Sequence, residues 1–315
     1  MAKNKVQFQK GLSLTEFYAI YGTESKCYEA LFRLRWPDGF VCPRCNSSKH
    51  CEIQSRKVLQ CNNCRKQTSL TSGTIFADTK LPLTIWFLAI YFITQSKDGI
   101  SSLNLARTLG VSANTALKIK HKLQQTMKER DDSQPLADLI LIDDAYWGGK
   151  KQDGKRGRGA TGKVPFLASI SITEEGYPVK MRLSRVAGFF KDEITAWGAK
   201  HLSRDSLVVS DGLNCFPGVK DAGCEHEVII THTGAGYDEF GVFKWVNVMI
   251  GNIKNSLHGT YHKISENHLP RYLAEFSYRF NRRFELDKMI DRLAYVAVRT
   301  PPLPHRLLKL AETHW

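Results

Sequence analysis

Two short apolar stretches of the chain end in aspartate, and they contain the strongest candidates for chemistry. The first reads I-L-I-D-D-A-Y-W-G-G and carries Asp143 and Asp144, and the second reads L-V-V-S-D-G and carries Asp211. Apolar runs of this length, rich in β-branched residues, predict buried strands. A carboxylate is costly to bury unless it is paired or bound to metal. Two interpretations stay open from these residues alone: strand ends that turn into solvent, or two strand ends that hold a divalent metal between them.

Cysteines form a second group with the spacing of a metal site. Two C-x-x-C pairs stand fifteen residues apart. Such pairs place four thiolates around zinc, because each tight turn brings its two sulfurs together. We therefore predict a structural Zn²⁺ site, although inert core cysteines are the alternative and Cys51 lies in the intervening loop. The predicted zinc ligands are Cys42, Cys45, Cys61 and Cys64, whereas Cys27, Cys215 and Cys224 read as ordinary small apolar residues.

Composition indicates a globular protein with a polyanionic partner. The chain has 315 residues, of which 42% are hydrophobic, and it carries a formal charge of +14 with a pI near 9.4. Nucleic acid is the first candidate partner, and an anionic membrane surface is the second. The longest apolar run, Leu81 to Ile93, is too short to span a bilayer. Because the polar, basic start has no apolar core behind it, we expect no signal peptide and an intracellular location.

The first half of the chain predicts helices around the cysteine pairs. Helical periodicity extends over Leu12–Arg35 and Pro82–Gln95, the latter apolar nearly all round. Ser101 or Ser102 then caps a helix that stops at Gly110, and Ser112 caps another that runs to about Met127, before a polar linker at 128–135. This is a helix-turn-helix layout, which a helical hairpin without a DNA-binding role would share. We expect Asn114, Thr115, Lys118 and Lys122 on or near the exposed face of the recognition helix, where they would contact DNA.

The second half predicts a mixed α/β sheet with helices packed on it. A loop at 148–163 has six glycines and six basic residues, and it can follow a phosphate backbone through Lys155, Arg156 and Arg158. A hairpin follows, and after it a helix, the Asp211 strand, another strand and two helices. The predicted elements are strands at 164–173, 178–185, 207–210 and 227–231, helices at 191–202, 240–257 and 265–283, and a surface tail from Phe284.

Several motifs together resemble one known family. They are C-P-R-C, C-N-N-C-R-K, S-G-T-I-F, K-L-P-L, G-I-S-S-L, D-D-A-Y-W-G-G-K-K and G-T-Y-H-K-I-S-E-N-H-L-P-R-Y-L-A-E-F-S-Y-R-F-N-R-R. In this order they are similar to the insertion-sequence transposases of the IS1595 or ISXO2-like group, over roughly Leu12 to Arg283. The resemblance implies a zinc ribbon, a helix-turn-helix and an RNase H-like domain that cuts and joins DNA with two divalent metals. The expected domains are a helical segment at 1–40, the ribbon at 41–75, the helix-turn-helix at 76–130, the catalytic domain at 138–285 and a tail at 286–315.

The resemblance also implies a set of active-site residues. Asp143 falls on the first metal ligand, with Asp144 where the family pattern has Glu, and Asp211 falls on the second. The third position stands seven residues before a lysine, which here gives Asn247 and Lys254. Asn offers a neutral oxygen where many related enzymes have Glu, and the alternatives for this ligand are Asp238 and Glu239. Oxygen ligands suit Mg²⁺ or Mn²⁺ better than zinc.

The resemblance thus predicts a transposase that binds the terminal inverted repeats of an insertion element and then cuts and joins DNA. Its partners would be double-stranded DNA and further copies of the chain in a dimer or larger complex, in a prokaryotic cytoplasm at the nucleoid. Three rival functions remain open from the residues. They are a zinc-ribbon and helix-turn-helix repressor with a decayed nuclease domain, an RNase H-like nuclease or resolvase without joining activity, and, more distantly, a membrane-surface protein.

Overall fold

The structure is a computed structural model, and it describes residues 10–148, 162–230, 241–261 and 264–309. The chain forms two compact units. The first contains the residues up to Thr126 together with those from Arg282, and the second contains Met127–Asn281. In the described ranges, no helix is both long and apolar enough to cross a membrane.

The first unit begins with two helices where the sequence predicted one. Helix α1 spans Leu14–Tyr21 and helix α2 spans Glu24–Arg35. Helix α1 is capped at its C-terminal end by Gly22, where an added Cβ would lie 2.3 Å from the carbonyl oxygen of Tyr18. Thr23 then caps α2, because its hydroxyl accepts the Lys26 N–H at 3.3 Å. The prediction of one helix over Leu12–Arg35 was therefore wrong at this junction.

A small antiparallel sheet follows α2. Its strands are β1 (His50–Ile53), β2 (Val58–Cys61) and β3 (Gln67–Ser69), paired in that order. The strands are only three or four residues long, and β1 is largely exposed. A sheet this small cannot bury much apolar surface, so it needs another source of stability.

Three further helices of this region match the predicted order. Helix α3 spans Leu83–Gln95, α4 spans Ser102–Leu109 and α5 spans Ala113–Asp132. Ser101 caps α4, which ends at Gly110 with a φ of 65°. The Ser112 hydroxyl accepts the Thr115 N–H at 3.2 Å and begins α5.

Helix α5 continues beyond its predicted end. The sequence predicted a stop near Met127 and a linker over 128–135, but the helix runs to Asp132. Lys128 and Asp132, one turn apart, form an ion pair at 2.6 Å, and Arg182 holds the same carboxylate at 2.8 Å. These charges, which read as linker in the sequence, stabilise the last helical turn.

The predicted surface tail is partly a buried helix. Helix α10 spans Met289–Ala297, and α11 spans His305–Lys309. The side chains of Met289, Leu293 and Ala297 are completely buried in the first unit. The Tyr21 hydroxyl donates to Asp291 at 2.6 Å and joins α10 to α1. The prediction that this segment lies on the surface was wrong. Its apolar residues recur with a helical period, and they form a face that is buried.

The second unit is built on a five-stranded mixed sheet. Its strands are β4 (Leu139–Trp147), β5 (Val164–Ile172), β6 (Pro178–Arg185), β7 (Leu207–Ser210) and β8 (Glu225–Val228), in the spatial order β6-β5-β4-β7-β8. The predicted β5–β6 hairpin is confirmed. The pairs β4–β5 and β5–β6 are antiparallel, whereas β4–β7 and β7–β8 are parallel. Strand β8 begins two residues earlier than predicted, at Glu225.

Helices cover both faces of this sheet. Helices α6 (Lys191–His201) and α7 (Gly218–Asp221) pack on the face that carries Ile140, Ile142 and Val208. Helices α8 (Lys244–Ser256) and α9 (Leu269–Asn281) pack on the face that carries Leu141, Ala145 and Val209. The fold is the mixed α/β class predicted from the sequence, and it is consistent with an RNase H-like transposase domain.

Candidate active site and zinc ribbon

The two central parallel strands bring Asp143 and Asp211 to the same level of the sheet. The pairing of β4 with β7 ends at Leu141 and Val209, and each aspartate follows two residues later. Side chains two residues apart point to the same face of a strand. Asp143 and Asp211 therefore stand on the Leu141 and Val209 face, which α8 covers.

A third carboxylate joins these two. Oxygen atoms of Asp143, Asp144 and Asp211 all lie within 4.8 Å of one another, and all three residues are partly exposed. The Asp144 N–H donates to Asp143 Oδ1 at 2.8 Å, and the Leu213 N–H donates to Asp211 Oδ1 at 3.3 Å. These backbone N–H groups orient the carboxylates of Asp143 and Asp211, which the sequence predicted as metal ligands. The remaining oxygens of the cluster can bind a cation.

Asp144 is the member of the cluster that the sequence did not assign as a ligand. Strand alternation places its Cβ on the face opposite to that of Asp143. However, the pairing of β4 with β7 ends at Leu141, so among the described strands none pairs with this side of β4 at the two aspartates. Side chains from both faces can meet at such an edge. The Asp-Asp doublet is the sequence signal that pointed to it.

Gly212 turns the chain directly after Asp211. Its φ is +73°, and a Cβ there would lie 2.9 Å from Val228 Cγ1 on the neighbouring strand. Only glycine takes this conformation at low cost, and only glycine fits against the Val228 side chain. This turn directly follows Asp211 and leaves its carboxylate at the end of β7.

Helix α8 carries the other two predicted catalytic residues. Its apolar side chains, among them Val246 and Ile253, are buried against the sheet, whereas Asn247 is exposed and Lys254 is half-buried. Asn247 and Lys254 are seven residues apart, so they share one stripe of the helix. The alternative ligands Asp238 and Glu239 lie outside the described residues.

The acidic cluster has the donor chemistry of a hard divalent cation. Its ligand atoms are carboxylate oxygens, which Mg²⁺ and Mn²⁺ prefer, and within the described ranges no sulfur or imidazole belongs to the cluster. Three like charges this close repel one another unless a cation or a proton neutralises them. The described residues therefore fit Mg²⁺ or Mn²⁺ better than they fit zinc.

The four predicted zinc cysteines also come together. Their sulfur atoms all lie within 4.8 Å of one another, with Cys42 Sγ 3.5 Å from Cys64 Sγ and Cys45 Sγ 3.5 Å from Cys61 Sγ. Zinc–sulfur bonds of about 2.3 Å in a tetrahedron require sulfurs about 3.8 Å apart. The cluster therefore fits a structural zinc ion.

The two cysteine turns have the same backbone geometry. The Asn46 N–H donates to the Cys42 carbonyl at 2.9 Å, and the Arg65 N–H donates to the Cys61 carbonyl at 3.0 Å. Both donors have a left-handed φ, of 57° at Asn46 and 59° at Arg65. The backbone N–H of Cys64 is the main reason that the pKa of Cys61 falls to about 6, which favours the thiolate that binds metal. Cys51 is exposed on β1 and lies outside the cluster.

The residues predicted to contact DNA differ in how exposed they are. Asn114 is exposed at the start of α5, and Thr115 and Lys118 are half-buried. Lys122 does not lie on the exposed face, because its Nζ donates to the Ile75 carbonyl at 3.0 Å near the Trp86 ring. Burial lowers the pKa of Lys122. Its assignment to the exposed face was wrong; Lys155, Arg156 and Arg158 lie outside the described residues.

A four-cysteine ribbon followed by an α/β domain with a cluster of carboxylates defines a class of protein with two candidate metal sites. Comparison with known families gives two matches. Residues 135–281 match the ISXO2-like transposase domain, and residues 22–67 match the transposase zinc-ribbon domain. Both are domains of IS1595 transposases, and together they cover more than half of the chain.

One relative is described as a protein of a transposable element. The chain is 27% identical over 128 residues to a protein of Halobacterium salinarum described as an uncharacterized protein in transposable element ISH50. The match covers 39% of this chain and 42% of that protein. The chain therefore aligns with less than half the length of this relative.

Proposed function

We propose that this chain is a DNA transposase that binds the terminal inverted repeats of an insertion element, cuts the DNA there and joins it to a target. The observation that carries the proposal is the meeting of Asp143, Asp144 and Asp211 at one sheet edge in a chain that matches the ISXO2-like transposase domain. A repressor with a decayed nuclease domain would have no need to keep three repelling carboxylates together.

In this proposal the three carboxylates hold Mg²⁺ or Mn²⁺. A pair of such ions, when bound, activates the attacking oxygen and stabilises the leaving oxygen of an in-line displacement at phosphorus. The chain's own contribution is position: the pairing of β4 with β7 and the Gly212 turn after β7 set the distance between Asp143 and Asp211.

Asn247 and Lys254 complete the proposed site from α8. The His258 ring, just beyond this helix, meets the Trp147 ring at a tilt of 40° with centroids 4.5 Å apart, and the apolar side of α8 is buried against the sheet. In this proposal Asn247 offers a neutral oxygen to the cation, and Lys254 offers a charge to a phosphate.

End binding in this proposal belongs to the ribbon and to the helical pair α4–α5. Asn114, Thr115 and Lys118 lie at the start of α5, where recognition helices contact bases and phosphates. The basic residues Lys155, Arg156 and Arg158 are proposed to follow the phosphate backbone near the cleavage site. Two element ends must be brought together, so we propose a homodimer or larger assembly.

The test is a cleavage and joining assay on duplex DNA taken from both flanks of the gene, with Mg²⁺ or Mn²⁺ added. Asp143→Asn and Asp211→Asn should each lower cleavage by at least about a hundredfold, because each removes charge stabilisation at the reacting phosphate. Binding to the flanking DNA should stay unchanged.

The matched control is Glu174→Gln, which removes a carboxylate at the β5–β6 turn, at the opposite end of the sheet. It should cut and join as the unaltered chain does. Cleavage retained in Asp143→Asn would reject the assigned site, and cleavage without joined product would identify a nuclease instead.

A further inference from the structure

A loop of aromatic residues lies at the same end of the sheet as the acidic cluster. Strand β6 ends at Arg185, which stands beside Phe166, and Phe166 pairs with Ala145 of β4. The next residue, Val186, donates its N–H to the Pro165 carbonyl at 3.3 Å. The connection from β6 to α6, residues 186–190, therefore leaves the sheet at the level of Ala145 and Tyr146, directly beyond the two aspartates of β4.

The two phenylalanines of this loop are placed differently. Phe189 is partly buried, and its ring meets the Tyr146 ring edge-on with centroids 5.5 Å apart. Tyr146 lies two residues beyond Asp144 on the same face of β4, about 7 Å along the strand. Phe190 is 68% exposed, more than any other aromatic residue described in this unit.

The backbone holds the exposed ring in place. A Cβ on Gly188 would lie 2.3 Å from Phe190 Cε2, so the ring rests directly against the glycine backbone. The Ala187 N–H donates to Glu193 Oε1 at 2.9 Å, which ties the loop to the first turn of α6. A large apolar ring that is both fixed and exposed has little conformational entropy to lose when it binds.

We propose that Phe190 is a stacking platform for an unpaired DNA base, a few nucleotides from the phosphate that the carboxylates receive. This inference deepens the proposed function and rests on it. Base stacking on an aromatic ring tolerates any sequence, because every base has a flat π face. A strand end opened for cutting or joining exposes such bases, and Phe190 follows Phe189, whose ring contacts Tyr146 two residues beyond Asp144.

The test compares binding of labelled oligothymidylate with binding of an abasic oligomer of the same length. The full chain is used, with no divalent metal added. Phe190→Ala should weaken oligothymidylate binding about tenfold, which corresponds to ~1.4 kcal/mol, and should leave abasic binding unchanged. The salt dependence of binding should keep its slope, because no charge is altered.

Three further variants separate stacking from other roles of the ring. Phe190→Trp should restore full affinity, whereas Phe190→Leu, which keeps apolar area without a π face, should behave like Phe190→Ala. Gly188→Ala should displace the ring and weaken binding in part. Tyr177→Ala removes an aromatic residue that is 47% exposed at the opposite end of the sheet, and it should change nothing.

Unchanged oligothymidylate binding in Phe190→Ala would overturn the proposal. So would an equal loss of abasic binding, or a change of oligomeric mass in Phe190→Ala, which would assign the ring to a protein interface. These measurements need no cleavage. Failure of the stacking proposal is therefore separate from failure of the proposed transposase, which is judged on Asp143→Asn in the cleavage assay.

Discussion

The cysteine cluster and the acidic cluster are built in opposite ways. All four zinc cysteines come from one short segment, residues 42–64, in which two turns repeat the same hydrogen bond and the same left-handed residue. The carboxylates come from two strands, and Asp143 and Asp211 meet only because β4 and β7 lie side by side. The cysteine site can form locally, whereas the acidic site exists only after the sheet has folded.

The two clusters also contribute differently to stability. Thiolates around zinc substitute for the apolar core that the three short ribbon strands lack. Carboxylates within 4.8 Å of one another cost free energy until a cation binds. The cysteine site stabilises the strands around it, whereas the folded sheet keeps the three carboxylates together. Substitutions in the two clusters should therefore have effects of opposite sign.

The largest effect is expected at Cys61. Cys61→Ser removes one of four thiolates, and structural zinc in small modules contributes about 10–16 kcal/mol to folding. We expect loss of stoichiometric zinc and unfolding of the ribbon, measured by metal analysis and by amide exchange over β1 to β3. The control is Cys51→Ser on the neighbouring strand, where the thiol is exposed and outside the cluster. Full zinc content in Cys61→Ser would show that the cluster does not depend on metal.

A smaller effect is expected at the turn that ends β7. Gly212→Ala places a Cβ 2.9 Å from Val228 Cγ1 at a φ of +73°. We expect a loss of about 1–3 kcal/mol in unfolding free energy, together with weaker Mg²⁺ binding, because Asp211 shifts with the turn. Gly176→Ala separates the causes, since Gly176 has a φ of +80° but nothing within 4 Å of its Cβ. If both variants lose the same stability and both keep Mg²⁺ affinity, the contact with Val228 does not position Asp211.

The sequence predicted the local cluster more completely than the assembled one. Cysteine spacing alone identifies all four sulfurs, because each turn needs only its own residues. For the acidic site, the apolar runs predict strands that end at Asp143 and Asp211. Strand β7 does end at Ser210, but the predicted end of β4 was wrong, because β4 continues to Trp147 through its pairing with β5. Asp144 joins the cluster where the pairing with β7 has stopped at Leu141. The alternation of residues along β4 does not show where its pairing with β7 stops.

Lys122 shows the same limit in a helix. Its position on α5 fits an exposed stripe, yet the Ile75 carbonyl and the Trp86 ring cover it. Both partners come from other parts of the chain. Helical periodicity states which residues share a face, but not what lies against that face.

The smallest effect, at Asp211, is also the sharpest test of the comparison because its sign depends on metal. Without divalent cations, Asp211→Asn relieves repulsion within the cluster, so the melting temperature should rise by about 2 °C. With Mg²⁺ in excess, the unaltered chain gains stability from the bound ion and the variant gains less, so the order should reverse. Asp221→Asn is the matched control, because it removes a carboxylate paired with Lys191 at 2.8 Å and should lower the melting temperature slightly under both conditions. A lower melting temperature for Asp211→Asn in the absence of metal would mean that this carboxylate stabilises the fold as the cysteines do, and the contrast between the two sites would fail.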